Sequence, residues 1–225
     1  MQKVTHSEYI AQKKPLAKQL LAKLNEKYQY ASVLITDNYE KGYRASRSGV
    51  AISATNAFGG KGMIVKVYDG KGYAEYSTNE ITAENLPEIE REIEQQLMNP
   101  ANFIPEGTEE AEYKCISDEP CTLCEATDYE IHPREVGDEK LIETVTALRE
   151  KAVKADERIL DAITGFNYQE YHKLFLSANR ELEQSVLYST GVMALVAAKG
   201  EEIKQSFRGF SNLGGAELLD NCLLY

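Results

Sequence analysis

Three cysteines and a histidine lie close together near the middle of the chain. Cys115, Cys121 and Cys124 form Cys-x5-Cys-x2-Cys, and His132 follows eight residues after Cys124. Two thiolates at Cys-x2-Cys spacing can grip zinc, and an imidazole could complete the shell. Zinc modules usually pair two such knuckles, whereas this sequence carries one, so the cluster reads as incidental, with a redox pair weaker still. Gly59-Gly60-Lys61-Gly62 invites a phosphate-loop reading and fails it. The Walker pattern needs glycine where Thr55 stands, and serine or threonine where Gly62 stands, so a loop between strands is expected. His172 lies among Tyr168, Tyr171, Phe175 and Tyr188, with no nucleophile arguable from spacing, and reads as a structural strand residue. The fourteen tyrosines could line a peptide-binding surface, each a rigid apolar body with a polar tip, or simply fill half-exposed strand positions. Catalytic residues: none assigned; metal ligands: none; substrate-binding residues: unknown.

The elements that must position these groups follow from periodicity. Leu16, Leu20, Leu24 and Tyr28, with Leu21 beside them, define a helical stripe, and Pro15 suits the first turn of that helix. Three β-like segments follow, at Ala31 to Thr36, Gly49 to Ala57 and Met63 to Tyr68. Asp69-Gly70-Lys71-Gly72 then predicts a tight hairpin into Tyr73 to Ser77. Thr82 is a candidate N-cap for a helix with Leu86, Ile89, Ile93 and Leu97 inward, stopped by Asn99-Pro100. From Pro100 to Gly137 the chain holds four of its six prolines, many acids and three cysteines, and reads as a linker. A helix capped by Asp138 follows, with Leu141, Val145, Leu148 and Ala152 inward. Strands are predicted at Ile159 to Tyr168, His172 to Ser177, Leu182 to Ala198 (broken near Gly191) and Ile203 to Phe210. A last helix begins near Gly215, with Leu218, Leu219 and Cys222 as buried candidates. The expectation is an α+β fold of two small domains, 1–99 and 138–225, each an antiparallel meander flanked by helices, joined by the linker 100–137.

Composition narrows the function classes. A hydrophobic fraction of 43% with 27% charged residues fits a globular protein, and the 225 residues suffice for two small cores. The net charge of −11 comes from 25 Lys and Arg against 36 Asp and Glu. That balance repels phosphate backbones and anionic lipid, so no nucleic-acid partner and no membrane is expected. Val192 to Ala198, the best apolar run, is far below the ~20 residues of a membrane span. Met1 to Lys14 has no apolar signal core, which leads us to expect a cytoplasmic protein with reduced thiols, Cys222 included.

Particular strings carry a resemblance. Gly62-Met63-Ile64-Val65-Lys66-Val67-Tyr68-Asp69-Gly70-Lys71-Gly72-Tyr73-Ala74 looks like a glycine-led strand and hairpin, followed by Ser77-Thr78-Asn79-Glu80-Ile81-Thr82 leading into a helix. Lys154-Ala155-Asp156-Glu157-Arg158-Ile159, Phe175-Leu176-Ser177-Ala178-Asn179-Arg180-Glu181-Leu182, Gly209-Phe210 and Leu213-Gly214-Gly215 follow in the same order and spacing. From about Leu16 onward the chain thereby resembles the amino-terminal half of the TldD/PmbA family of zinc metallopeptidases, also labelled modulators of DNA gyrase. The resemblance implies a second half carrying His-Glu-x-x-x-His, two imidazoles holding zinc and a glutamate activating its water. His6, His132 and His172 do not form that motif. No cofactor is therefore expected in this chain, and zinc is expected in the missing carboxyl-terminal half. The apolar Leu223-Leu224-Tyr225 reads as a cut leading into that half. Whether this region belongs to an enzyme stays uncertain, since a homologue lacking the motif can serve as a partner subunit. The implied partners are peptide or unfolded-protein substrates and a family homologue in a homo- or hetero-oligomer. The alternative is a non-enzymatic adaptor of the gyrase-modulator type.

Overall fold

The computed structural model describes residues 1–54, 60–98 and 113–219. After a short strand β1 (Gln2–Lys3), helix α1 runs over Glu8–Lys27 without interruption. It begins earlier than the leucine stripe predicts and carries Pro15 in its interior. The Ser7 hydroxyl caps it by accepting the Ile10 N–H at 3.2 Å, and buried Ile10 anchors the extra turns. Pro15 removes the donor that would reach the Ala11 carbonyl, a loss these anchored turns tolerate.

The strands are longer than their apolar runs. They are β2 (Tyr30–Ser46), β3 (Gly49–Ala54), β4 (Lys61–Tyr68), β5 (Tyr73–Thr78), β6 (Cys121–Ala126), β7 (Asp128–Tyr129), β8 (Ile159–Ser177), β9 (Arg180–Lys199) and β10 (Glu202–Leu213). The β4–β5 hairpin forms as its sequence predicts. The Asp69 carboxylate accepts the Lys71 and Gly72 N–H groups at 2.8 and 2.9 Å, and Gly70 takes φ 102°. Helix α2 (Leu86–Met98) buries Leu86, Ile89 and Ile93. The Thr82 and Asn85 side chains exchange hydrogen bonds with each other's backbone just before it. Two helices follow β7, the short α3 (Pro133–Val136) and α4 (Asp138–Lys154). Asp138 is not the N-cap of α4, a place held by Gly137. Its carboxylate instead takes the Lys41 ammonium at 2.6 Å and the Tyr43 hydroxyl at 2.7 Å.

The fold is α+β, antiparallel strands with flanking helices, but the two meanders do not make separate sheets. β2 pairs with β8 from Ser32 to Ala45, and the main sheet runs β10-β9-β8-β2-β4-β5. β3 extends the β4 side of β2, and β6 lies parallel to the start of β9. The predicted linker therefore contains β6, β7 and α3. β6 supplies a sheet strand, and β7 pairs with β1. The predicted breaks in the long strands also vanish. β8 is continuous through Gln169–Tyr171, and β9 runs unbroken through Gly191, over which the Phe210 ring packs so closely that an added Cβ would lie 2.1 Å from it.

One face of this sheet carries both hydrophobic cores, toward opposite ends of the long strands. At one end α1 and α2 pack on Val33, Ile35, Val65, Val67, Leu174 and Leu176. At the other, α4 packs through Leu141 and Val145 on Tyr43, Ala45, Phe166, Tyr168 and Leu187. Of the predicted last helix, only 215–219 are described. Ala216 and Leu219 are buried there, while Cys222 and Leu223 to Tyr225 lie outside the described residues, as do Asn99-Pro100 and Gly59.

Candidate functional site

Between the two cores the covered face turns polar. Even-numbered residues of β8 point inward from Ala162 to Leu176, and the apolar series is interrupted at Thr164, Glu170 and His172. Glu170 and His172 are each only 8% exposed. The Glu170 carboxylate lies 2.7 Å from the Arg134 guanidinium and 3.5 Å from His132 Nε2 through Oε1, and 3.8 Å from His172 Nε2 through Oε2. His172 Nδ1 meets the Ser185 hydroxyl at 2.9 Å, and the same hydroxyl meets His6 Nδ1 at 2.9 Å. His6 Nε2 in turn lies 3.4 Å from the Cys124 sulfur. All three histidines of the chain, scattered in sequence, thus join one band with Glu170 and Ser185.

Local structure explains the placement. His132 caps α3, its Nδ1 accepting the Arg134 N–H at 3.2 Å, which leaves the proton on Nε2 facing Glu170. Tyr129 and Tyr168 meet the His132 ring edge to face at 5.3 and 6.2 Å, and the Arg134 guanidinium stacks 4.4 Å over the Tyr39 ring. The loop before α3 is strapped down by the chain leaving β10. Ile131 N donates to Glu217 Oε2 at 2.9 Å, and Ala216 N donates to the Ile131 carbonyl at 2.8 Å.

The electrostatics suit a carboxylate beside neutral imidazole. Burial pushes Glu170 up, but the His172 contact and the Arg134 charge outweigh it and hold the carboxyl below its usual range. Burial pushes the His132 imidazole down, against the opposing pull of Glu170. Both shifts make the fold acid-sensitive. Unfolded His132 takes a proton near pH 6.5 that the folded form refuses, so stability falls as pH drops below that value. Glu170 contributes stability above the unfolded carboxyl value, lost as pH falls toward its depressed folded one. The urea midpoint is expected to be flat above about pH 7, to slope down below about 6.5 and to steepen below about 4.5. His132→Asn, which keeps an N-cap acceptor, is expected to remove the first slope. An unchanged profile would show that His132 is not held neutral.

The cysteines that the sequence spacing groups, a cluster that reads as incidental, lie apart in the fold. Three residues apart on β6, Cys121 and Cys124 point to opposite faces, so they cannot form a knuckle. Cys115 lies in the extended segment beside Tyr73, whose hydroxyl accepts the Ile116 N–H, and His132 is engaged at Glu170. Among the described residues no group of three or more His, Cys, Asp or Glu side chains is arranged to hold a metal. Gly60 and Gly62 form a strand connection. The Gly60 carbonyl accepts the Asn38 N–H at 2.7 Å, and Lys61 opens β4.

A second feature lies on the opposite face. No helix among the described residues covers the far ends of β2, β8 and β9, and a groove of about 580 Å³ opens there. Gly42, Arg44, Gly165, Asn167, Val192 and Ala194 are among the residues that line it. β10 borders it. Phe207 pairs with Ala194 and is 74% exposed, and Ile203 is 64% exposed. Among the described residues β10 pairs only with β9, so no described strand occupies its outer edge.

These features define an α+β fold found in solved structures. No protein-family model matches the sequence, and no curated protein matches it. The chain is similar to a candidate modulator of DNA gyrase from Bacteroides thetaiotaomicron, at TM-score 0.66 and 16% identity over 89% of this chain and 45% of that one. It is similar to a second candidate modulator, from Thermotoga maritima, at TM-score 0.66 and 14% identity, covering 91% of this chain and 44% of that one. A third similar structure is TldE from Thermococcus kodakarensis, at TM-score 0.59 and 13% identity over 92% of this chain and 46% of that one. At these identities the likeness establishes the fold, and the chain spans just under half the length of each of these structures. No helix among the described residues is long and apolar enough to cross a membrane.

Proposed function

We propose that this chain is a non-catalytic, amino-terminal region of a TldD/PmbA-type cytoplasmic peptidase, acting as the wall that receives extended peptides. The observation that carries the reading is β10, a twelve-residue strand whose outer edge no described strand occupies, with exposed Phe207 beside the groove residue Ala194 and exposed Ile203 further along the same face. An unfolded peptide adds its backbone to such an edge and seats alternate side chains on the face. The shared fold and the ordered family strings support the same reading. Zinc and the hydrolytic residues belong to the other half of such a protein, and a homologue is the natural oligomeric partner.

Fluorescence anisotropy with a labelled, unstructured casein peptide tests the proposal. Ile203→Lys combined with Phe207→Lys is expected to weaken binding about tenfold or more, since each buried apolar contact contributes roughly 1.5–3 kcal/mol. The chain alone, supplied with zinc, is expected to leave casein intact. Equal binding by both forms removes the peptide-wall reading. The adaptor reading is favoured by the description of two structural neighbours as candidate modulators of DNA gyrase. It predicts capture of a folded protein by β10 with no affinity for unfolded casein.

A further inference from the structure

We propose that Cys124 is a thiol-modification site, with His6 as its general base, that reacts with low-molecular-weight disulfides. Activation comes from the polar band, in which one ionic contact and two hydrogen bonds orient one another in turn. Glu170, held as a carboxylate by Arg134 at 2.7 Å, can only accept. His172, whose Nε2 faces that carboxylate at 3.8 Å, therefore carries its proton on Nε2 in the attraction of that charge and leaves Nδ1 as an acceptor. The Ser185 hydroxyl donates to that Nδ1 at 2.9 Å. Its oxygen is then free to accept from His6 Nδ1–H, also at 2.9 Å. Glu183, 3.7 Å from the same Nδ1, favours the proton there too. His6 must then present its bare Nε2 lone pair, 3.4 Å from the Cys124 sulfur. A nucleophile, a base and groups orienting that base are the parts an activated thiol needs.

The surroundings allow the chemistry. Cys124 is exposed, so a reagent can reach it. Glu183, its register partner on β9, would oppose a thiolate, but the Lys14 ammonium pairs with that carboxylate at 2.9 Å. Cys121 and Cys115 are also exposed and lack a histidine partner among the described residues. In the reaction His6 Nε2 takes the Cys124 proton, and the thiolate attacks one sulfur of the disulfide. The S–S bond breaks, a protein mixed disulfide forms, and the departing thiolate recovers the proton from His6. Cys124 is oxidised and one half of the reagent is reduced to its thiol. The product severs the Cys124–His6 contact that ties the segment before α1 to β6.

The test treats the folded protein with glutathione disulfide at pH 7 and follows each cysteine by acid quench and peptide-mapping mass spectrometry. Cys124 is expected to react about tenfold faster than Cys121 and Cys115, since it alone of the three has a base within reach of its proton among the described residues. His6→Ala and His6→Gln should each bring Cys124 down to the level of the other two. Glu170→Gln, remote from the sulfur, should remove part of the advantage while circular dichroism stays unchanged. In urea the advantage should vanish. Equal rates at Cys115, Cys121 and Cys124 in the native protein overturn the proposal. So does an undiminished Cys124 rate in both His6 variants, or an advantage that survives in urea.

Discussion

Replacing Phe166 with alanine is expected to lower stability by about 3–5 kcal/mol and to do so for the whole sheet. Phe166 is 1% exposed and sits in the core under α4, between Tyr43, Tyr168 and the flanking strands. Its removal opens a cavity that long, fully paired strands cannot readily collapse into. β8 carries Phe166 at one end and Leu174 and Leu176 at the other, all within one hydrogen-bonded strand beside β2. Loss of the α4 core should therefore reach the α1 and α2 core through the backbone. Urea denaturation followed by segment-resolved hydrogen exchange should show α1 and α4 amides losing protection in one transition, at a shifted midpoint. Protection retained around α1 after the α4 region has opened would establish two independent units, as the division at 1–99 and 138–225 expects.

Gly215→Ala is expected to cost about 1–3 kcal/mol and to disturb the polar band. A Cβ at Gly215 would lie 2.0 Å from the Ile131 carbonyl oxygen, a backbone atom that cannot rotate away. Relief requires the strap over Ile131 to move. That movement stretches the Ala216–Ile131 bond at 2.8 Å and the Ile131–Glu217 bond at 2.9 Å. His132 and Arg134 follow immediately in the chain, so their grip on Glu170 should loosen. Gly72→Ala is the control. Nothing lies within 4 Å of its added Cβ, and the change should be neutral or stabilising by up to about 1 kcal/mol. Chemical denaturation of the two variants side by side decides the matter. Equal stability would show that the strap gives way without resistance.

Sequence periodicity located the elements better than it located their partners. The leucines of α1, the Asp-Gly hairpin and the stripe of α2 are local signals, and each sits where its pattern places it. Strand lengths were hidden because the long strands pass from one core to the other through polar residues. Between Tyr168 and Leu174, β8 crosses the band with Glu170 and His172 inward. A pattern that expects apolar residues at every second position reads that crossing as a break. The same interruption was the one sequence signal for the site: two ionisable residues at inward parity inside an apolar alternation. His6, Ser185 and Cys124 could not be joined to it from sequence, because Ser185 meets His172 through the β8–β9 register, Cys124 arrives by the parallel β6–β9 pairing, and His6 comes from the segment before α1. The cysteine-rich stretch 100–137 looked like a linker since proline and acidic residues mask six residues that complete a sheet.

The seam between β2 and β8 has a consequence for how the protein is made. β2 ends at Ser46 and β8 begins at Ile159, so more than a hundred residues separate one edge from its partner. At typical synthesis rates of ~5–20 residues per second, β2 leaves the ribosome on the order of ten seconds before β8. During that interval Val33, Leu34 and Ile35 sit on a strand whose open edge can template pairing with any other nascent chain. The arrival of β8 closes the edge and draws the two cores onto one sheet. A chaperone that holds extended apolar segments should accordingly bind ribosome-stalled chains ending near residue 120 and release those extending past residue 200.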